Sequence, residues 1–143
     1  ERAERHNREL KYGLRSHVIV RETEAEARSA ADRLISRLDP DTGEAIRQKS
    51  LDTASVGVSR QSELRDGADN DGYVEANLWT GVGKARSGAG AAIVGDPDQV
   101  AAKLAAYQDV GVEAFILSGY PHIAECDLFA EHVLPQLNHG KLY

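Results

Sequence analysis

Apolar residues along the chain gather in short continuous runs, each followed by a stretch in which they recur every three or four positions. The first run is Leu14-Arg15-Ser16-His17-Val18-Ile19-Val20-Arg21. Its β-branched Val-Ile-Val centre does not alternate with polar residues, as expected of a strand covered on both faces. Thr23-Glu24-Ala25-Glu26 then reads as a capping box, the threonine hydroxyl accepting from the amide of Glu26 while the glutamate reaches back. Ala27, Ala30, Ala31, Leu34, Ile35 and Leu38 fall on one helical stripe, which Asp39-Pro40-Asp41-Thr42-Gly43 ends. Ahead of the strand, the charged residues 1–12 read as the tail of a helix stopped at Gly13.

Residues 44–90 follow a different pattern. They are rich in Ser, Asp, Gly and Ala, and their apolar positions are too sparse for a sustained core face. Short helices are predicted around 44–51 and 57–66, but turn signals such as Asp66-Gly67 and Asp69-Asn70-Asp71-Gly72 mark the segment as a long loop, a lid or a disordered insertion. Order returns at Ala91-Ala92-Ile93-Val94-Gly95. Asp96 is a good N-cap, with Pro97 at the first helical position and Gln99 at the third. Val100, Leu104 and Tyr107 line one side of that helix, and Gly111 closes it. A second strand, Val112 to Leu117, is stopped by Ser118-Gly119-Tyr120-Pro121. A last helix is predicted from Ile123 to Leu137, burying Leu128, Phe129, Val133 and Leu134.

Strands alternating with amphipathic helices imply an α/β fold with parallel pairing and right-handed crossovers. Two strands alone would leave both sheet edges and the Val-Ile-Val side chains open, so the pattern implies further strands from a longer protein or, second, from another copy.

Composition narrows the function classes. The formal net charge of −6 and the scattered basic residues argue against a nucleic-acid surface, which needs clustered cations. No apolar run reaches the ~20 residues of a membrane span, and no secretory signal is visible. One cysteine, Cys126, excludes an internal disulfide and suits a reducing compartment; it reads as a packing residue. A cytoplasmic location is expected. His6, His132 and His139 lack metal-ligand spacing.

In parallel α/β folds the active site lies at the C-terminal ends of the strands. There the second strand presents Ser118-Gly119-Tyr120-Pro121-His122, with a tyrosine and a histidine suited to donate or carry protons. Packing for Tyr120 and helix capping for His122 are the alternatives. Arg15 and His17 share a strand face, where a buried charge needs a partner or a wet site. They lie nearer the strand's start than that rule favours, and a surface arginine with a core histidine is the competing account. Arg86, in Lys84-Ala85-Arg86-Ser87-Gly88-Ala89-Gly90, offers a guanidinium fork suited to an oxyanion, although the loop matches neither a P-loop nor a dinucleotide fingerprint.

Three stretches taken together resemble one family: Gly13 to Thr23; Asn77-Leu78-Trp79-Thr80-Gly81-Val82-Gly83 running on to Asp96; and Phe115-Ile116-Leu117-Ser118-Gly119-Tyr120-Pro121-His122. They resemble the flavin-dependent alkanesulfonate monooxygenases of the luciferase-like superfamily of (β/α)8 TIM barrels. The resemblance implies the C-terminal portion of such a barrel: residues 14–38 as strand seven and its helix, 39–90 as an insertion and mobile lid, and 91–143 as a helix, strand eight and the final helix. It further implies a parent enzyme that takes reduced FMN from a separate NAD(P)H-dependent reductase and uses O2 to cleave alkanesulfonates to aldehyde and sulfite. Arg15, His17, Arg86, Tyr120 and His122 would form its site, with His17 and Tyr120 against the flavin, and homo-oligomers would be expected. The family's active-site cysteine should lie outside this chain, and the 143-residue chain alone should bind FMN weakly without turnover. A related monooxygenase acting on a sulfone, or a non-catalytic flavin-binding barrel, are the alternatives.

Overall fold

The computed structural model describes residues 3–51, 56–85 and 90–140. A short 3-10 turn at Glu4–His6 leads into β1 (Tyr12–Val20). Among the described residues, 3–12 therefore do not form the expected helix tail, and Gly13 lies inside the strand rather than closing a helix. With so few apolar residues, that segment has no stripe to bury and cannot hold a helix against the sheet.

After β1 come α1 (Glu24–Ile35), α2 (Pro40–Leu51) and α3 (Val56–Asp66). The capping box forms as expected: the Glu26 amide donates to Thr23 Oγ1 at 3.3 Å, and the Thr23 amide donates to the Glu26 carboxylate at 3.2 Å. Ala27, Ala30 and Ala31 are buried, small enough to let α1 lie close to the sheet, whereas Leu34 is 38% exposed. Pro40 opens α2 instead of only ending α1, because a proline at the first helical turn gives up a donor that would have no partner there. The short helices expected around 44–51 and 57–66 form as α2 and α3, so the described part of the segment expected to be mainly loop is largely helical up to Asp66.

Two short strands, β2 (Tyr73–Glu75) and β3 (Leu78–Trp79), make a hairpin, followed by one helical turn, α4 (Val82–Ala85). Then come β4 (Ala92–Gly95), α5 (Pro97–Asp109), β5 (Val112–Ser118), α6 (His122–His132) and a 3-10 turn at Leu134–Gln136. The strand order is β2-β3-β4-β1-β5. β1 pairs in parallel with β4 on one side and β5 on the other, and β3 joins β4 antiparallel. The two strands legible in sequence are therefore direct neighbours, and the described residues supply three more. The four residues of β4, which carry no period, are what the two-strand reading left out.

β4 and the second half of β1 are packed on both faces. Ile19, Ala92 and Val94 meet α1, Trp79 and Val82 on one face. Val18, Val20 and Ile93 meet Val100 and Leu104 of α5 and Val133 beyond α6 on the other. β4 and β5 flank β1 instead of lying side by side, so the chain turns back past β1 and α1 and α5 fall on opposite faces. β5 lies along the first part of β1, from Tyr12 to His17, while the Val-Ile-Val run pairs with β4. The α/β class expected from the sequence holds. Among the described residues no helix is long and apolar enough to cross a membrane.

Candidate functional site

Helices leaving neighbouring strands toward opposite faces open a crevice at the strand ends. β1 and β5 are such a pair. His17 lies opposite Ser118, the last residue of β5, so the shorter β5 ends level with the middle of β1. A residue halfway along β1 is therefore brought to the C-terminal end of its neighbour, which removes the conflict between its sequence position and the usual place of active sites.

His17 is 2% exposed. Its imidazole stacks on the ring of Tyr120 at 5.3 Å between centroids and 24° between planes. Tyr120 in turn meets His122 at 4.7 Å and 44°. The three rings form a row running from the buried face of β1, through the half-buried tyrosine, to an exposed imidazole at the start of α6. The Tyr120–Pro121 peptide is cis. Pro121, not His122, occupies the N-cap position of α6, and no side-chain cap bond forms there. Ser118 Oγ is buried without a hydrogen-bond partner among the described residues. Below the turn, a cavity of about 220 Å³ is bounded by Val18, Leu117 and Phe129 on its apolar side and by His122, Glu125 and Cys126 on its polar side. Cys126 is exposed rather than packed, because the core stripe of α6 runs through its neighbours Glu125 and Phe129.

Arg15 shares the face of His17 but pairs with Ile116, a full pleat before the end of β5, and both residues are exposed. Of the five residues singled out in sequence, the structure brings together His17, Tyr120 and His122 and leaves Arg15 on the open sheet face behind them. Arg86 lies outside the described residues.

Two residues not anticipated stand at the same end. Arg21, directly after β1, makes a two-pronged ion pair with Glu125 of α6: Nη1 to Oε2 at 3.1 Å and Nη2 to Oε1 at 2.6 Å. The Glu125 side chain is only 3% exposed. A signal was available, since Glu125 lies one helical turn before Phe129 and two before Val133, an acid on the apolar stripe of its helix.

The second sequence motif proves to be architectural over its described part. Asn77 takes a positive φ of 62° at the tip of the hairpin, receives the Val94 amide at its backbone carbonyl (2.9 Å) and donates from its side chain to the Val94 carbonyl (2.9 Å). Trp79 is 1% exposed and donates to the Asp71 carbonyl at 3.1 Å. The amide and hydroxyl of Thr80 both donate to the Gly72 carbonyl. Beside it, Arg28 lies 4.0 Å above the Tyr73 ring and pairs with Glu24, which also receives Gln99 at 2.6 Å. The bonds from Gln99 and then Arg28 hold the Glu24 carboxyl below its ordinary value. Burial pushes the Tyr73 hydroxyl up to about 12.

A family model described as luciferase-like monooxygenase matches residues 1–114. The chain belongs to this family. It is 65% identical over 141 residues to a sulfoquinovose monooxygenase of Novosphingobium aromaticivorans, covering 99% of this chain and 39% of that protein. It is 56% identical over 137 residues to a sulfoquinovose monooxygenase of Agrobacterium fabrum, covering 96% of this chain and 36% of that protein. The chain thus spans well under half the length of these relatives. The family model stops within β5, but both relatives' alignments run on past it and so reach the turn that carries Tyr120 and His122.

Proposed function

We propose that the full-length protein of which these residues form a part is a reduced-FMN-dependent monooxygenase that releases sulfite from a sulfonate, with sulfoquinovose, a sulfonated sugar, preferred over a simple alkanesulfonate. The observation that carries this reading is the stacked row His17-Tyr120-His122 at the end of β5, in a chain so similar to two proteins named for sulfoquinovose. The alkanesulfonate expected from the motifs gives way to the substrate in the relatives' names, while the sulfonate chemistry stays the same.

The residues present suit a flat heteroaromatic cofactor and an anionic substrate. Two stacked rings and the orphaned Ser118 Oγ offer a plane and a hydrogen-bonding group at one crevice. Bound there, the flavin would supply the electrons that activate O2, delivered by a separate NAD(P)H-dependent reductase. His17, held in the interior, would set the floor of the site. Tyr120 would present its hydroxyl at the crevice, and His122, at the solvent edge, would pass protons between it and water. A sulfonate stays anionic at every working pH, so the permanent cation of Arg15, exposed on the same face, suits it better than a titrating group. Arg86 is assigned to closing over the substrate on the resemblance alone.

Sulfite release by the full-length protein tests the reading, with reduced FMN, O2 and either sulfoquinovose or a short alkanesulfonate. Sulfite from both, with higher kcat/KM for sulfoquinovose, is the expected result. Oxidation of the flavin without sulfite from any sulfonate would overturn it, and a preference for alkanesulfonates would overturn the choice of substrate.

A further inference from the structure

The stacked rings come from two elements with no covalent link near the site: His17 from β1, and Tyr120 and His122 from the turn between β5 and α6. One end of that turn is set by strand pairing, His17 against Ser118. The other end is set by whatever anchors the first turn of α6. We propose that the Arg21–Glu125 pair is that anchor, a positioning clamp that holds Tyr120 and His122 in register with His17. This role rests on the functional reading above for its catalytic meaning, but not for its geometry.

Arg21 joins three parts of the strand ends. Its backbone amide donates to the Gly95 carbonyl at the end of β4 at 3.3 Å. Its guanidinium donates to the carbonyl of Val20, the last residue of β1, and grips Glu125 in the first turn of α6 with both prongs. Two parallel bonds from a planar fork fix orientation as well as distance, which a single ammonium cannot do. The stem of Glu125 packs directly on Gly119, in the middle of the turn it controls, so close that a Cβ there would come within 2.4 Å of Glu125 Cβ. The carboxylate is therefore fixed to the turn by contact and to β1 by charge. Of the ion pairs between described residues, this is the one whose carboxylate is buried. Phe129 and Val133 already supply apolar packing between the α6 region and the sheet. A buried charge pair in that place adds direction more than adhesion.

The test uses the full-length protein with its histidines labelled at Cε1, so that the ring-current shift of His17 reports the tyrosine stacked on it. Tyr120→Leu gives the size of the shift, and His122→Gln removes the other histidine against that ring, so that the signal of His17 is identified. Arg21→Lys keeps the charge and loses the fork, and Glu125→Gln keeps the shape and loses the charge. Arg21→Lys is expected to lose most of the Tyr120-dependent shift while the remaining spectrum stays that of the folded protein. Its kcat for sulfite release should fall about ten- to a hundredfold, with KM changed much less, because a displacement near an ångström is enough for such a loss. Glu125→Gln should show the same pattern in milder form, and it provides the reading should Arg21→Lys fail to fold. Folded variants that keep the full wild-type shift and kcat would overturn the clamp. A brace for stability alone would lower Tm and leave the shift in place, which also overturns it. If the wild-type protein releases no sulfite from any sulfonate, the functional reading fails, and the ring-current shift still decides the clamp.

Discussion

Gly119 and Glu125 are packed so closely that a methyl group on the glycine would lie 2.4 Å from Cβ and 2.6 Å from Cγ of the glutamate, and 3.0 Å from the Val18 carbonyl oxygen. The main obstacles are the near atoms of a side chain pinned by its ion pair, and backbone, neither of which can swing aside. Gly119→Ala should therefore destabilise the protein by about 1–3 kcal/mol or more in urea unfolding, the range of an overpacked core. Gly111→Ala offers the contrast. That glycine has a positive φ of 96°, and a methyl group added to it would meet nothing within 4 Å among the described residues, so only the strain of a left-handed residue, about 1–2 kcal/mol, should appear.

Truncating the two ends of the ion pair should cost unequal amounts. Arg21→Ala strands a carboxylate that is 3% exposed, and should lower stability by about 3–5 kcal/mol. Glu125→Ala leaves a guanidinium already 26% exposed, free to turn to water, and should cost distinctly less. Denaturant unfolding of the two single variants checks the order; equal losses would mean that the packing of the stems, not the buried charge, dominates.

Asn77 answers two needs at once, a left-handed backbone and a side-chain bond to the Val94 carbonyl. Asn77→Gly keeps the backbone and loses the bond, a change of about 0.5–1.5 kcal/mol. Asn77→Ala loses both, and should be less stable than the glycine variant by about 1 kcal/mol in thermal or urea unfolding.

The Tyr73 hydroxyl is buried with no hydrogen-bond partner among the described residues, and burial raises it to about 12 from an ordinary value of 10. A group whose folded value is raised contributes stability fully present below its unfolded value and lost as pH climbs through the folded one. Stability should therefore fall between pH 10 and 12, with a late-ionising tyrosine in an absorbance titration that is absent from Tyr73→Phe. Tyr73→Phe should flatten that alkaline limb. At neutral pH it should leave stability unchanged or higher, since the ring beneath Arg28 remains and the unsatisfied hydroxyl is gone.

Local chemistry was the most legible part of the chain. The capping boxes at Thr23 and Asp96 and the apolar run of β1 declare themselves within a few residues, and they form as the spacing requires. The turn carrying Tyr120 and His122 could be marked as a site because it follows a strand. Its relation to His17 came only through the family resemblance, because it depends on the register of β5 against β1, a contact across about a hundred positions that leaves no local trace. β4 escaped because four residues carry no period, and the β2–β3 hairpin because its strands are shorter still and held by Trp79, Thr80 and Asn77 rather than by alternation. Arg21 and Glu125 lie 104 positions apart, and only the acid on the apolar stripe of α6 hinted that something had to meet it.

The central place of β1 has a consequence for the order in which the protein can be made. Its two parallel neighbours are both translated long after it: Ser16 reaches a partner 75 positions later on the β4 side, and β5 follows later still. During that interval β1, with its Val-Ile-Val run, has left the ribosome before either strand that flanks it is made. Closing such long loops is slow, and an unpaired apolar strand is prone to pair with the wrong one. A nascent chain stalled after α3 should be held by chaperones or lost to aggregation, and one stalled beyond α6 should not.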